Sequence, residues 1–336
     1  MNKQVKILLI LVVAALAVYF LYTRKPWSSV KGGDETAFAI EDTASITKVF
    51  LADGRGSNTL LQRTAKGWTV DDKFAADGRK INMLLETIHD VRLRNPVGQA
   101  EYNNVLKTFA ASGVKVELYH EEELVKTIYV GQMTSDQTGT YMMIDGASAP
   151  YVTHIPGFVG YLTPRFLTQP VKWRSRLVFD KSPEELAKIE VVYPGEPSQS
   201  FSIENNNGIT VLKDAGGNTV QVKDTNFIKY YVAGFSQLHG EGFDEIYNAA
   251  RQDSISHMQP YVTVTIYGKD GQKQFVQLHL KAMEKGTKER YDEAGNLRTT
   301  DNERYFAFAN GDKNLLYVQQ YNFGRVLRRL SDFRGR

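Results

Sequence analysis

The longest uninterrupted apolar stretch opens the chain: Ile7 to Tyr22 is sixteen aliphatic or aromatic residues. Wound as a helix it is about 24 Å long, a little short of the ~30 Å hydrocarbon core of a bilayer. Lys3 and Lys6 can snorkel at one end, and Tyr19, Tyr22 and Trp27 suit the other interface. The pattern predicts a transmembrane helix acting as a membrane anchor over residues 1–25. Basic residues flank both ends, so orientation is only weakly biased toward a cytoplasmic amino terminus. A cleaved signal peptide is the rival, because Ala15-Leu16-Ala17 fits a small-x-small cleavage site, although the apolar run continues beyond it. A buried core helix is the third reading. Residues 26–44 read as a tether, with Pro26, Ser28, Ser29, Gly32 and Gly33 opposing regular structure.

Beyond the tether the same pattern occurs twice. Ile81, Leu84, Leu85, Ile88 and Val91 form an apolar stripe at helical spacing, and Ile228, Tyr231, Val232, Phe235 and Leu238 repeat that spacing. Asp77 and Asp224 each precede a stripe by four residues, where an N-cap is expected. A strand pair precedes each helix, at 46–51 with 60–70 and at 189–193 with 201–212. A weaker helix follows, near 101–112 and near 243–253. Then Val114, Val116 and Leu118 alternate before Tyr119, as Val262, Val264 and Ile266 do before Tyr267. Aromatic strand pairs close each half, at 141–144 with 151–154 and at 305–308 with 316–319. The fold class expected is α+β: an N-terminal transmembrane helix followed by two tandem related units of antiparallel sheet with helices. The first unit spans 45–172 and the second 173–336, the latter with a charged loop near 283–303.

Charge and composition narrow the function classes. The chain is 42% hydrophobic and 24% charged, the balance of a folded protein, with a formal net charge of +3. Four basic residues, Lys3, Lys6, Arg24 and Lys25, precede Pro26 with no acid among them; 37 basic residues then face 38 acidic ones. The body is therefore near neutral, and no nucleic-acid partner is expected. Cysteine is absent, which removes disulfides, thiol nucleophiles and Cys-ligated zinc.

The chemistry-bearing side chains do not assemble into a known pattern. The six histidines, His89, His120, His154, His239, His257 and His279, lack metal-ligand spacing. His120-Glu121-Glu122-Glu123 lies between two strands and reads as a turn. Asp53-Gly54-Arg55-Gly56 has the look of a phosphate loop, but a strand follows it where a phosphate loop needs a helix N-terminus. No G-x-S-x-G is present. No catalytic residue, metal ligand or cofactor site is assigned. The candidate interaction residues are Lys172, Trp173, Arg174 and Arg176, at the boundary between the halves. They suit an anionic group or an acidic partner edge; the plainer reading packs Trp173 between the halves and commits the arginines to ion pairs. The basic tail, 325–336, carries Val326, Leu327 and Leu330 on one face and reads as a docked terminal helix.

The run 106–119, then Thr127-Ile128-Tyr129-Val130-Gly131, Thr140-Tyr141-Met142-Met143, Pro150-Tyr151-Val152 and Trp173-Arg174-Ser175-Arg176-Leu177 resembles the uncharacterised bacterial domain-of-unknown-function family numbered 4340. The resemblance covers about residues 45–325 and implies a membrane-anchored protein. Some members are similar in genomic setting to accessory proteins of gliding-type ABC transporters. The family has no assigned catalytic residues to carry over. Together these readings lead to an expected role as a membrane-anchored scaffold or binding protein of the cell envelope. It would act through contacts with an envelope protein partner, as an accessory to a transport system. The expected location is the bacterial inner membrane, single pass through Ile7 to Tyr22, with the body in the periplasm or otherwise outside the cytoplasm. A ligand-binding module with a cleft between the repeats is the alternative, its small molecule unknown. A hydrolase is the third reading, disfavoured by the missing motifs.

Overall fold

The computed structural model describes residues 35–206, 209–283, 291 and 295–334. Two compact units divide between Ser175 and Arg176. The first contains β1 (Lys48–Asp53), β2 (Asn58–Thr64), β3 (Gly67–Val70), β4 (Phe74–Ala75), α1 (Gly78–Asp90), β5 (Arg92–Pro96) and α2 (Gln99–Ser112). It continues with β6 (Val114–His120), β7 (Glu123–Met133), β8 (Thr140–Ile144), β9 (Tyr151–His154) and α3 (Pro170–Trp173). Its strands form one sheet in the order β4-β3-β2-β1-β6-β7-β8-β9-β5. Helix α1 thus connects the two outermost strands and runs over one face of the sheet.

The period-two alternation makes this possible. Val49, Leu51, Leu61, Val116, Leu118 and Val130 leave their strands on the face that meets Ile81, Leu84 and Ile88 of α1, and all are buried in one cluster. Asp77 caps α1, its Oδ1 accepting from the Arg79 amide at 3.1 Å. The stretch 60–70 folds as a hairpin rather than one strand; Gly67 takes φ +111° beside its turn. Part of the expected tether belongs to this core. Phe38 is buried, the Ile40 amide bonds the Ile88 carbonyl at 3.1 Å, and the Lys126 ammonium reaches the carbonyls of Ala37 and Ala39.

The second unit contains β10 (Leu177–Phe179), β11 (Leu186–Val192), β12 (Phe201–Asn206), β13 (Ile209–Asp214), α4 (Thr225–Ala233), β14 (Leu238–His239), β15 (Gly242–Phe243) and α5 (Ala249–Ser256). Then follow β16 (Val262–Gly268), β17 (Lys273–Ala282), β18 (Thr300–Ala309), β19 (Leu316–Gln319), α6 (Gln320–Phe323) and α7 (Leu330–Arg334). Its main sheet runs β13-β12-β11-β16-β17-β18-β19-β15, and β10 pairs with β14 apart from it. Helix α4 is capped by Asp224, whose Oδ1 accepts from the Asn226 amide at 2.8 Å. Ile228, Tyr231 and Val232 of α4 pack on Val191, Ile203, Val264 and Leu278. The basic tail docks with only the short helix α7 instead of one helix along its length, burying Val326, Leu330 and Phe333.

The expected fold class requires correction. The protein is mostly antiparallel sheet, in three sheets, with few helices; the longest described helix has 14 residues. Residues 243–253 illustrate why: the expected helix is instead β15, a turn and the eight-residue α5, because Gly242 and Phe243 pair with Tyr317 and Leu316. No helix among the described residues is long and apolar enough to cross a membrane. The expected single-pass placement in the inner membrane is corrected on that finding, and the run Ile7 to Tyr22 lies outside the described residues.

Candidate functional site

Of the four candidate residues at the boundary, Trp173 is enclosed within the first unit. It is 1% exposed, packs in that unit's own core, and its Nε1 donates to the Leu167 carbonyl at 2.8 Å. Arg174 is 5% exposed, with its guanidinium 3.6 Å from the centre of the Phe74 ring. The backbone here extends the sheet edge: the Asp77 amide bonds the Trp173 carbonyl, and the Ser175 amide bonds the Ala75 carbonyl, both at 2.7 Å. The Lys172 carbonyl accepts from the Lys80 ammonium. Arg176 belongs to the second unit, where its guanidinium donates to the Glu241 carbonyl. The run therefore finishes a sheet edge and a core. His120-Glu121-Glu122-Glu123 forms the β6–β7 turn, with Glu121 at φ +52° and Glu122 on Lys48 at 2.8 Å. No group of three metal-ligating side chains gathers among the described residues.

A denser constellation lies on the second unit's sheet, on the face away from α4. Register places His279, Phe306, Tyr317 and Gly242 side by side across β17, β18, β19 and β15. A Cβ at Gly242 would meet open space, and a cavity of about 380 Å³ begins there. Its walls are Glu241, Gly242, Ile246, Lys281, Arg304 and Tyr317. Ile246 is 80% exposed on the rim.

The charges of this cavity are held in pairs. The Lys281 side chain is 6% exposed, and its ammonium lies 3.2 Å from Asp301 Oδ2. The Glu303 and Arg304 amides donate to Asp301 Oδ1 at 2.8 and 3.2 Å. Burial pushes the Asp301 carboxyl up, but those two amides and the Lys281 ammonium outweigh it and leave its pKa below the usual carboxylate value. Arg304 clamps Glu241 with two parallel bonds, Nε to Oε2 at 2.8 Å and a terminal nitrogen to Oε1 at 2.7 Å. The Tyr317 hydroxyl donates to Asp244 Oδ1 at 2.8 Å. Asp244 Oδ2 accepts from the Tyr247 amide and from Gln252 of α5, at 2.8 and 3.1 Å. Gln252 Oε1 accepts from the Leu315 amide at 2.9 Å, which ties α5 to the start of β19.

Lys281 and Arg304 are thus each matched by a carboxylate, Asp301 and Glu241, while Asp244 is held by neutral donors. The arrangement offers a fixed shape, an apolar rim and oriented charges. It does not set any of these charged groups aside as an acid or base for proton transfer. In sequence, Lys281, Asp301 and Arg304 merely border the charged loop near 283–303; nothing local links them to Glu241.

The profile of the family described as "Domain of unknown function (DUF4340)" matches residues 68–253, more than half of the chain. The matched stretch holds Glu241, Gly242 and Ile246 and ends before Lys281, Asp301 and Arg304. No curated protein and no solved structure matches the chain.

Proposed function

This chain belongs to the domain-of-unknown-function family DUF4340, and we propose that it serves as a binding protein that recognises another polypeptide at the cavity of its second unit. The observation that carries the reading is the meeting of Tyr317, Arg304 and the exposed Ile246 around one hollow. Tyrosine and arginine dominate the energetics of protein contacts, because each buries a large surface while keeping a polar end. The bidentate clamp on Glu241 and the Lys281–Asp301 pair fix the charged groups before a partner arrives, which lowers the entropy lost on association. The pairing also argues for recognition over turnover, since a catalytic carboxylate or amine needs to be available to substrate.

Affinity purification of the full chain from its native cells tests this, comparing wild type with Arg304→Ala and Ile246→Asp. A specific partner that is retained by wild type and by Glu122→Ala, a control on the exposed β6–β7 turn, is lost from both cavity variants. Equal recovery by all four proteins overturns the reading. A small polar ligand is the second reading, favoured by a volume within the range of ligand pockets. A thermal shift produced by a metabolite set and abolished by Arg304→Ala supports it over a polypeptide.

A further inference from the structure

Behind the cavity, between the sheet and helix α5, sits a small separate core of Ile255, Phe306, Phe308 and Leu315, with Tyr247 and Tyr317 packed on it. His279 enters this region from β17. It is 2% exposed, its ring stands edge-on to Phe308 at 5.7 Å between centroids, and neither ring nitrogen has a hydrogen-bond partner. A neutral imidazole carries one donor and one acceptor, and a protonated one carries two donors. A buried ring with both nitrogens unpaired is therefore tolerated only while it is neutral.

The first unit fills the corresponding place with a phenyl ring. Val130 pairs with Val114 as Leu278 pairs with Val262, so the next residue along, Gly131, corresponds to His279. Phe109 of α2 occupies the space there, its ring carbons 3.1 Å from where a Gly131 Cβ would be. The second unit replaces a phenyl ring by a titratable one.

The surrounding charges are committed elsewhere. On β17, Lys281 is held by Asp301 of β18. Arg304 of β18 is held by Glu241. Asp244, before α5, accepts from Tyr317 of β19, from the Tyr247 amide and from Gln252. Asp253 on α5 and His257 at its end are largely exposed and face each other at 3.6 Å. Arg251 is likewise exposed. None of them bonds the imidazole.

Helix α5 is the element able to yield. It has eight residues and buries only Ile255 among its own side chains. We propose that His279 is an acid-sensitive lock, whose protonation releases helix Ala249–Ser256 from the sheet while the main core of the second unit stays folded. Burial pushes the imidazole below its ordinary value of 6.5, with no charged neighbour contributing. The sign follows: the docked state binds the proton less well than the released state. Docking is at full strength above pH 6.5 and is lost progressively as the pH falls from there toward the docked value. Release also displaces Ile246, three residues before α5, from the cavity rim, but it does not depend on what the cavity binds.

Hydrogen exchange of the full chain between about pH 7.5 and about pH 5, corrected for intrinsic rates, tests the lock. The opening equilibrium of Ala249–Ser256 should rise as the pH falls below 6.5 in wild type, at most tenfold per pH unit, and level off below the docked value. It should stay flat in His279→Phe, which copies the ring of the first unit, and in His279→Gln. The same pH dependence in either variant, or none in wild type, overturns the proposal. Should neither variant fold, the wild-type imidazole titration by NMR decides: a value well below 6.5 supports the lock, and a value at or above it refutes it.

Discussion

The two units solve one packing problem with one strand order. In the first, β3-β2-β1-β6-β7-β8-β9-β5 lie side by side; in the second, β13-β12-β11-β16-β17-β18-β19-β15 do. Each lays one Asp-capped helix, α1 or α4, over the same face. The other face is where they part. Counting along the paired strands, Gly131 and Gly139 of the first unit stand where the second has His279 and Arg304, and a bulge in β7 between Val130 and Met133 leaves Lys281 without a counterpart in register. The hairpin differs too: β7 ends at Met133 and β8 starts at Thr140, whereas β17 reaches Ala282 and β18 starts only at Thr300. Gly131 and Gly139 let Phe109 and Val152 close over the first unit's back with Val105 and Tyr141. An ammonium and a guanidinium, Lys281 and Arg304, give the other a polar cavity, with the His279 imidazole buried behind it. The face against α1 or α4 is constrained by burial, so it repeats; the opposite face is free to diverge, and the candidate site formed there.

The comparison can be broken from either side. Trp173→Ala should destabilise the first unit by about 3–5 kcal/mol, by loss of the buried indole and of its bond to Leu167. Loss of exchange protection in β1, β6 and β7 would register it. An effect under about 1 kcal/mol would mean the first core is not organised around that ring. Asp301→Ala should cost more than Lys281→Met, because the first leaves an ammonium buried without its carboxylate and the second substitutes an apolar chain of similar length. Denaturant midpoints in the reverse order would show that the pair is solvated and that the cavity is not a preformed feature.

Smaller changes sharpen the contrast. Gly131→Ala should cost about 1–3 kcal/mol, since the new methyl meets the Phe109 ring and the Tyr141 carbonyl at 3.1 Å. A neutral result by thermal melting would show that the back of the first unit has slack, so that the glycine is incidental. The smallest expected pair is Asp77→Ala and Asp224→Ala, each worth about 1 kcal/mol of helix capping. Matched losses in the two denaturation curves would confirm that α1 and α4 are equivalent helices; a difference beyond about twofold would separate them.

What the sequence made legible follows from range. The stripes at 81–91 and 228–238 and their Asp caps are local, within a few turns of chain; α1 forms where its stripe predicts, while α4 starts at its Asp cap but ends at Ala233, leaving Phe235 in a turn and Leu238 in β14. Strand alternation is local as well, so Val114, Val116 and Leu118 point into the core as expected. Helical content was overestimated where pairing is remote: Gly242 and Phe243 are drawn into β15 by Tyr317 and Leu316, which no window around residue 243 contains. The site was invisible for the same reason. Glu241 meets Arg304, and Asp244 meets Tyr317, only after β15 closes on β19. The boundary residues drew attention through their composition, yet an aromatic residue among cations reads identically whether it is a surface anchor or, like Trp173, the end of a core.

Site-specific photocrosslinking in native cells tests the central claim most directly. A photoreactive residue is placed at Ile246 on the cavity rim, or at Met133, an exposed position at the end of β7 in the first unit. The account predicts a discrete crosslinked polypeptide from position 246 that disappears in the Arg304→Ala background, and none from position 133. Identical crosslinks from both positions, or a product at 246 unaffected by Arg304→Ala, would contradict it.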